Sequence, residues 1–154
     1  LMTSRERALL VEMLQRAADI AEQVEGTIVV EPLNRYETHL VHRLETAAEL
    51  CQAAGSPRVG ILADFYHMNL EEADVARSIA AAAPLIRHVQ LADSNRLLPG
   101  QGHVDFGPGI RALVQSGYDG FMALECRAEG PLEIVLPRCV DYLGALLNPA
   151  GTTG

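Results

Sequence analysis

Four short segments are almost unbroken apolar runs: TIVVEPL (27–33), VGILADF (59–65), IRHVQLAD (86–93) and GFMALEC (120–126). A strand covered by helices on both faces of its sheet has no wet side, so it reads as a continuous run rather than an alternation. These four are predicted to be parallel strands. Between them, apolar residues recur at helical spacing. Helices are predicted over 4–25, with Thr3 or Ser4 as N-cap and Gly26 as the stop, and over 39–54, ended by Gly55. Others are predicted over 70–83, with Asn69 and Glu72 as a capping pair, over 108–116, with Asp105 ahead of Pro108 and Gly117 behind, and over 131–147. Pro137 lies inside the last and is expected to bend or restart it. The strand starts at 27, 59, 86 and 120 lie 32, 27 and 34 residues apart, the length of a βα unit.

Alternating βα units make either an open doubly wound sheet or a closed barrel. The polar residues choose between them. Each predicted strand carries an acid or amide near its C-terminal end, on the face set by the two-residue period, where a (β/α)8 barrel builds its rim. The expected fold is therefore α/β, of the (β/α)8 TIM-barrel type. A whole barrel takes roughly 250 residues and eight strands, whereas this chain of 154 residues offers four. Residues 1–147 are expected to form a half barrel with parallel strands, and 148–154 a flexible tail. Such an arc leaves two strand edges and an apolar face uncovered, so a missing N-terminal half or a second copy of the chain is expected to cover them.

Hydrophobic residues make up 49% of the chain, enough for a core. Charged residues interrupt the apolar runs well short of the roughly 20 residues that cross a bilayer, and no basic start leads into an apolar stretch. The expected location is the cytoplasm, with no membrane partner. The net charge of −8, without a basic cluster, disfavours nucleic acid as a ligand. Cys51, Cys126 and Cys139 lack the paired spacings of zinc ribbons or redox motifs and read as reduced, mostly buried thiols.

Strand by strand, the rim offers Glu31, Asp64, Gln90 and Glu125. Carboxylates converging in a low-dielectric mouth raise one another's pKa unless a cation sits among them. Oxygen donors select a hard divalent ion, Mn²⁺ or Mg²⁺, with Co²⁺ or Zn²⁺ as alternatives. Taken singly, each acid reads more simply as a helix cap or a solvated strand end. Four such tips together carry the metal reading. His88 shares a face with Gln90, and imidazole is the commoner ligand. It lies two residues deeper, beside Val29, Leu62 and Ala123, which puts Gln90 ahead and leaves His88 in support or as a neutral core histidine. His67, three residues past Asp64, can reach a substrate oxygen, as can the forked donors of Arg96. Their simpler readings are a helix-capping His67 and a surface Arg96 paired with Asp93 or Asp105. PGQGHVDFGPG does not match GxGxxG and reads as a turn into the helix at Pro108. His103 is expected to be exposed, and His39 and His42 to sit at a helix start.

Removing a proton from carbon beside a carbonyl needs charge stabilisation on oxygen and a placed base. A metal chelating the carbonyl and the neighbouring hydroxyl supplies the first, and Glu31 and Glu125, from opposite sides of the arc, supply bases. Return of the proton to the opposite face inverts a stereocentre, and return to the adjacent carbon interconverts aldose and ketose. Both outcomes pass through a metal-bound enediolate.

VEPLNRYE, DFYHMN, HVQLADSNRLLPGQGHVDF and ALEC, in that order, resemble the last four βα units of the xylose isomerase-like TIM barrels. This sugar isomerase and epimerase group includes tagatose 3-epimerase and hydroxypyruvate isomerase, and the resemblance runs from the first helix to about residue 145. It implies a divalent metal held by Glu31, Asp64, Gln90 and Glu125, acid/base work by Glu31 and Glu125, and sugar oxygens bound by Glu37, His67 and Arg96. The implied substrate is a small sugar or hydroxy-carbonyl compound, and Gln at position 90 leans toward the hydroxypyruvate isomerase side. Two rival readings stand beside it. One is a non-catalytic metal-binding or assembly half barrel. The other, metal-dependent hydrolysis of abasic DNA, uses a His-rich cluster of several metals and is opposed by the acidic balance.

Overall fold

Strands and helices alternate as the apolar runs require. The computed structural model describes residues 2–148. Its elements run α1 (Ser4–Gln23), β1 (Ile28–Val30), α2 (Leu44–Ala54), β2 (Val59–Asp64), α3 (Phe65–Glu71), α4 (Val75–Ala82), a 3₁₀ turn (Ala83–Leu85), β3 (Ile86–Leu91), α5 (Phe106–Gln115), β4 (Met122–Leu124) and α6 (Leu132–Leu147). The four strands form one parallel sheet in the order β1-β2-β3-β4. Each crossover therefore lands on the neighbouring position, giving a half barrel. The tail expected at 148–154 lies, after Asn148, outside the described residues.

The core forms where the central strands meet the helices. All six residues of β2 are buried, and Leu44, Leu50, Ile79, Ile110 and Leu113 pack in the same cluster. Burying each such side chain contributes roughly 1.5–3 kcal/mol. Phe65, the first residue of α3, stacks on Phe106 of α5 with ring centroids 5.4 Å apart. Gly109 permits this approach, because a Cβ there would lie 2.6 Å from the Phe65 ring.

Several boundaries differ from the sequence expectation for identifiable reasons. The outer strands β1 and β4 have three residues each, against six for β2 and β3, because each has a partner on one side only. The helix expected over 70–83 is two helices, since two aspartates cap separate starts. Asp64 caps α3 and Asp74 caps α4, accepting from the Arg77 amide at 2.9 Å. Asn69 lies inside α3, and Glu72 follows its end. The Glu72 carboxylate instead accepts from the Leu44 amide and the Ser78 hydroxyl, both at 2.8 Å. That cap, supplied from across the chain, starts α2 at Leu44 rather than at 39.

Elsewhere Thr3 caps α1 in a reciprocal box with Glu6, and α5 begins at Phe106, two residues before Pro108, with Asp105 as its cap. Pro137 lies within a continuous α6 and does not restart it. All three cysteines are free thiols, with Cys51 and Cys139 buried. Among the described residues no helix is long and apolar enough to cross a membrane.

Candidate metal centre and active site

Strand register fixes the depth of each rim side chain. Asp64 pairs with Gln90 and Leu62 with His88, so Gln90 is level with Asp64 while His88 sits two residues deeper. The other expected neighbours of His88 fall elsewhere: Val29 pairs with Gly60, and Ala123 with Gln90. A register shift between Ile61 and Leu62 accounts for part of this stagger. Glu31 comes one residue after the last pair of β1. Glu125 comes one residue after β4, its amide donating to the Leu91 carbonyl at 3.2 Å.

One potential ligand atom from each of Glu31, Asp64 and His67 lies within 4.8 Å of the others. An end of the Gln90 amide sits 3.2 Å from Glu31 Oε1 and 3.3 Å from Asp64 Oδ2. Its NH₂ placed there donates to both carboxylates. Its oxygen placed there completes three converging acceptors, which a cation would reconcile. The two oxygens of Asp64 serve separately. Oδ1 caps α3, accepting from the Tyr66 amide at 2.7 Å and the His67 amide at 3.3 Å, while Oδ2 faces Gln90. Helix cap and ligand are therefore compatible roles for one carboxylate.

The electrostatics point the same way. Burial, followed by the charges of Asp64 and Glu125, pushes the Glu31 carboxyl up to about 7 despite the opposing Arg96 guanidinium. Burial also raises Asp64, against the pull of His67 and the capping amides. Buried carboxylates held this close suit a positive charge between them. The donor set of carboxylates and an amide oxygen thus fits a hard divalent ion.

His67 is 1% exposed, and its Nδ1 accepts from the Asn34 backbone amide at 3.1 Å. A neutral ring that accepts at Nδ1 carries its proton on Nε2. Burial lowers the His67 pKa, which favours that neutral form. Nε2 lies 3.8 Å from Glu31 Oε1 and 3.4 Å from Arg96 Nη1, so it opens onto the site between a carboxylate that would accept its proton and a guanidinium that can only donate. That geometry suits a substrate oxygen.

Asn34, absent from the sequence candidates, is 1% exposed. Its side-chain nitrogen donates to Glu37 Oε1 at 2.8 Å and lies 2.9 Å from His67 Nδ1. The signal in NRYE was the tight turn it makes by accepting from the Tyr36 amide at 3.0 Å.

Arg96 spans the mouth. It donates to Glu125 Oε2 at 2.8 Å, lies 3.7 Å from Glu37 Oε1, and rests 4.5 Å above the Tyr66 ring. It pairs with neither Asp93 nor Asp105: Asp93 is buried among backbone amides and Asp105 caps α5. Glu125 is thus engaged by the guanidinium and close enough to influence Glu31. The remaining histidines lie apart, His39 2.9 Å from Glu6, His42 2.8 Å from the Thr38 carbonyl, and the exposed His103 3.0 Å from Ser94.

A parallel sheet with acids and an amide gathered at its C-terminal rim is the arrangement of the active face of a (β/α)8 barrel. Residues 3–143 match the model of the xylose isomerase-like TIM barrel, and the chain belongs to that family. Among its relatives, the ketose 3-epimerase of Arthrobacter globiformis is 36% identical over 133 residues, covering 86% of this chain and 45% of that protein. The 3-dehydro-D-guloside 4-epimerase of Escherichia coli K12 is 32% identical over 130 residues, covering 83% and 50%. The apo crystal structure of 3-keto-D-glucoside 4-epimerase from E. coli superposes with a TM-score of 0.81 at 30% identity, covering 92% of this chain and 53% of that one. The chain spans about half the length of the curated relatives it matches.

Proposed function

We propose that residues 1–147 are the C-terminal, metal-holding half of a sugar isomerase/epimerase barrel acting on a small sugar or hydroxy-carbonyl compound, with epimerisation of a free ketose as the favoured reaction. The observation that carries this reading is the convergence of Glu31, Asp64 and Gln90 beside the His67 donor. The names of the relatives support the same chemistry. Glu31, Asp64, Gln90 and Glu125 would hold a divalent ion, Mn²⁺ or Mg²⁺ by their oxygen donors, and that ion supplies Lewis-acid polarisation of the substrate carbonyl. Glu31 and Glu125 follow the two outermost strands, so they can approach a substrate from opposite sides. One takes the proton from the carbon beside the carbonyl and the other returns a proton to the opposite face, which inverts the centre. His67 Nε2–H donates to a substrate oxygen. Glu37 and Arg96 bind further hydroxyls, and the free thiols and acidic charge fit a cytoplasmic setting.

The test is deuterium wash-in from D₂O, followed by NMR on a panel of ketoses and hydroxypyruvate with Mn²⁺ present. Exchange at the epimerised carbon, lost in Glu31→Gln and Glu125→Gln, is the expected result. No exchange on any panel member by a metal-loaded protein would overturn the catalytic reading. A non-catalytic metal-binding half barrel is the second reading, favoured by the uncovered flanks: Phe121 is 85% exposed, Val24 71% and Leu132 61%. It predicts metal binding without exchange.

A further inference from the structure

We propose that Asp93 is the positioning residue that holds Arg96 across the mouth of the site, acting through the loop 94–104; this rests on the role given to Arg96 above. Asp93 is 1% exposed, yet among the described residues no cationic side chain forms an ion pair with it. Its partners are backbone amides instead. Oδ1 accepts from Ser94 at 2.8 Å and Val104 at 2.9 Å, and Oδ2 accepts from Gly100 at 2.8 Å. One carboxylate thereby gathers both ends of an eleven-residue loop to a single point.

The main chain of the same residue completes the device. The Asp93 carbonyl accepts from the Arg96 amide at 2.8 Å, and the Asp93 amide donates to the Leu97 carbonyl at 2.9 Å. Inside that turn Arg96 takes φ 61°, a left-handed conformation that a non-glycine residue adopts only when its surroundings impose it. The strained backbone aims the guanidinium at Glu125, Glu37 and the face of Tyr66. Burial pushes the Asp93 carboxyl up, but the amides of Val104, Ser94, Gly100 and Gly102 outweigh it and hold the group below its ordinary range. The loop is also closed on its far side. Gln101 exchanges two hydrogen bonds with the backbone of Glu129, at 2.7 and 3.1 Å, tying it to the segment that follows Glu125.

Gly102 gives a second handle on the same carboxylate. A Cβ there would lie 2.3 Å from Asp93 Oδ1 and 2.6 Å from Cγ. Gly102→Ala therefore displaces the carboxylate without removing it, whereas Asp93→Asn keeps its shape and turns a donor toward donors.

The test compares wild type, D93N, G102A, R96A and D93N/R96A. With a ketose and Mn²⁺, D93N and G102A are each expected to lower kcat/KM by about 10²-fold, chiefly through KM, as a misplacement on the order of 1 Å does. In the R96A background D93N is expected to change kcat/KM by less than about threefold, because the two residues act as one unit. A full multiplicative loss in the double variant would overturn the proposal. A second readout needs no turnover: phenylglyoxal labelling of Arg96, followed by peptide mass spectrometry. The Arg96 side chain is 31% exposed, so there is room for faster labelling. Labelling several-fold faster in D93N and G102A, and unchanged in D74N at the remote cap of α4, supports the proposal. Equal rates in correctly folded variants sink it. Wild type inactive on every ketose would remove the proposed function while labelling still judges Asp93, and G102A alone decides if D93N does not fold.

Discussion

The central pair of strands and the outer pair divide the site between them. β2 is buried throughout, and at its tip Asp64 is 1% exposed. The outer strands are half as long, and Val29 and Leu124 are 37% and 38% exposed. The fully buried β2 thus carries Asp64, and its neighbour β3 carries Gln90 level with it. The two glutamates follow strands that are paired on one side only. Position at the centre comes from packing. Position at the flanks comes from loops and from the grip of Arg96 on Glu125.

The contrast can be broken most severely through catalysis. Glu125→Gln is expected to lower turnover by about 10²–10⁴-fold, the range for loss of a general acid or base, while calorimetry still detects metal binding, weakened by the loss of one carboxylate charge. Stability comes next. Ile61→Ala, at a position with 0% exposure, is expected to cost about 2–5 kcal/mol in urea unfolding. The half-exposed Leu124→Ala should lose well under half of that. Equal losses would remove the distinction between centre and flank.

Protonation supplies a third test. Glu31 is held at about 7 against an ordinary value of 4.5. The folded metal-free chain therefore keeps a proton that the unfolded chain releases. Its contribution to stability is full below about 4.5 and is lost as pH rises through about 7. A metal ion competes with that proton, so Mn²⁺ affinity should climb about tenfold per pH unit up to about 7 and then level off. Glu31→Gln should flatten both profiles in thermal melts and titrations. The smallest expected effect is that of Asn34→Ala, which removes the side-chain amide from Glu37 and from beside His67 Nδ1 while the backbone amide stays on Nδ1. About tenfold in kcat/KM, with Mn²⁺ affinity retained, would place Asn34 among the groups that orient substrate contacts.

The central strands were legible almost to the residue, because an apolar run buried on both faces is long and unbroken. The outer strands were over-extended, since hydrophobicity records burial while pairing depends on a neighbour. The split helix was hidden because the reading placed a capping pair at Asn69 and Glu72, whereas Asp64 and Asp74 cap the two starts. Periodicity brought out Glu31, Asp64 and Glu125 but left Gln90 and His88 on one face, and only the strand register separates their depths. Asn34 could not be found that way, since its partner His67 lies 33 positions away and the contact depends on how the loop after β1 folds back. Tyr66 was opaque for the same reason, since its ring lies beneath a guanidinium 30 positions away.

The divided carboxylate of Asp64 bears on how this rim can diverge. A longer acid at that position could reach an ion or start the helix but would struggle to satisfy both, so drift there is penalised twice. Gln90 carries no comparable second duty. Substitutions that retune ion preference at the proposed site should therefore be tolerated at position 90 before position 64.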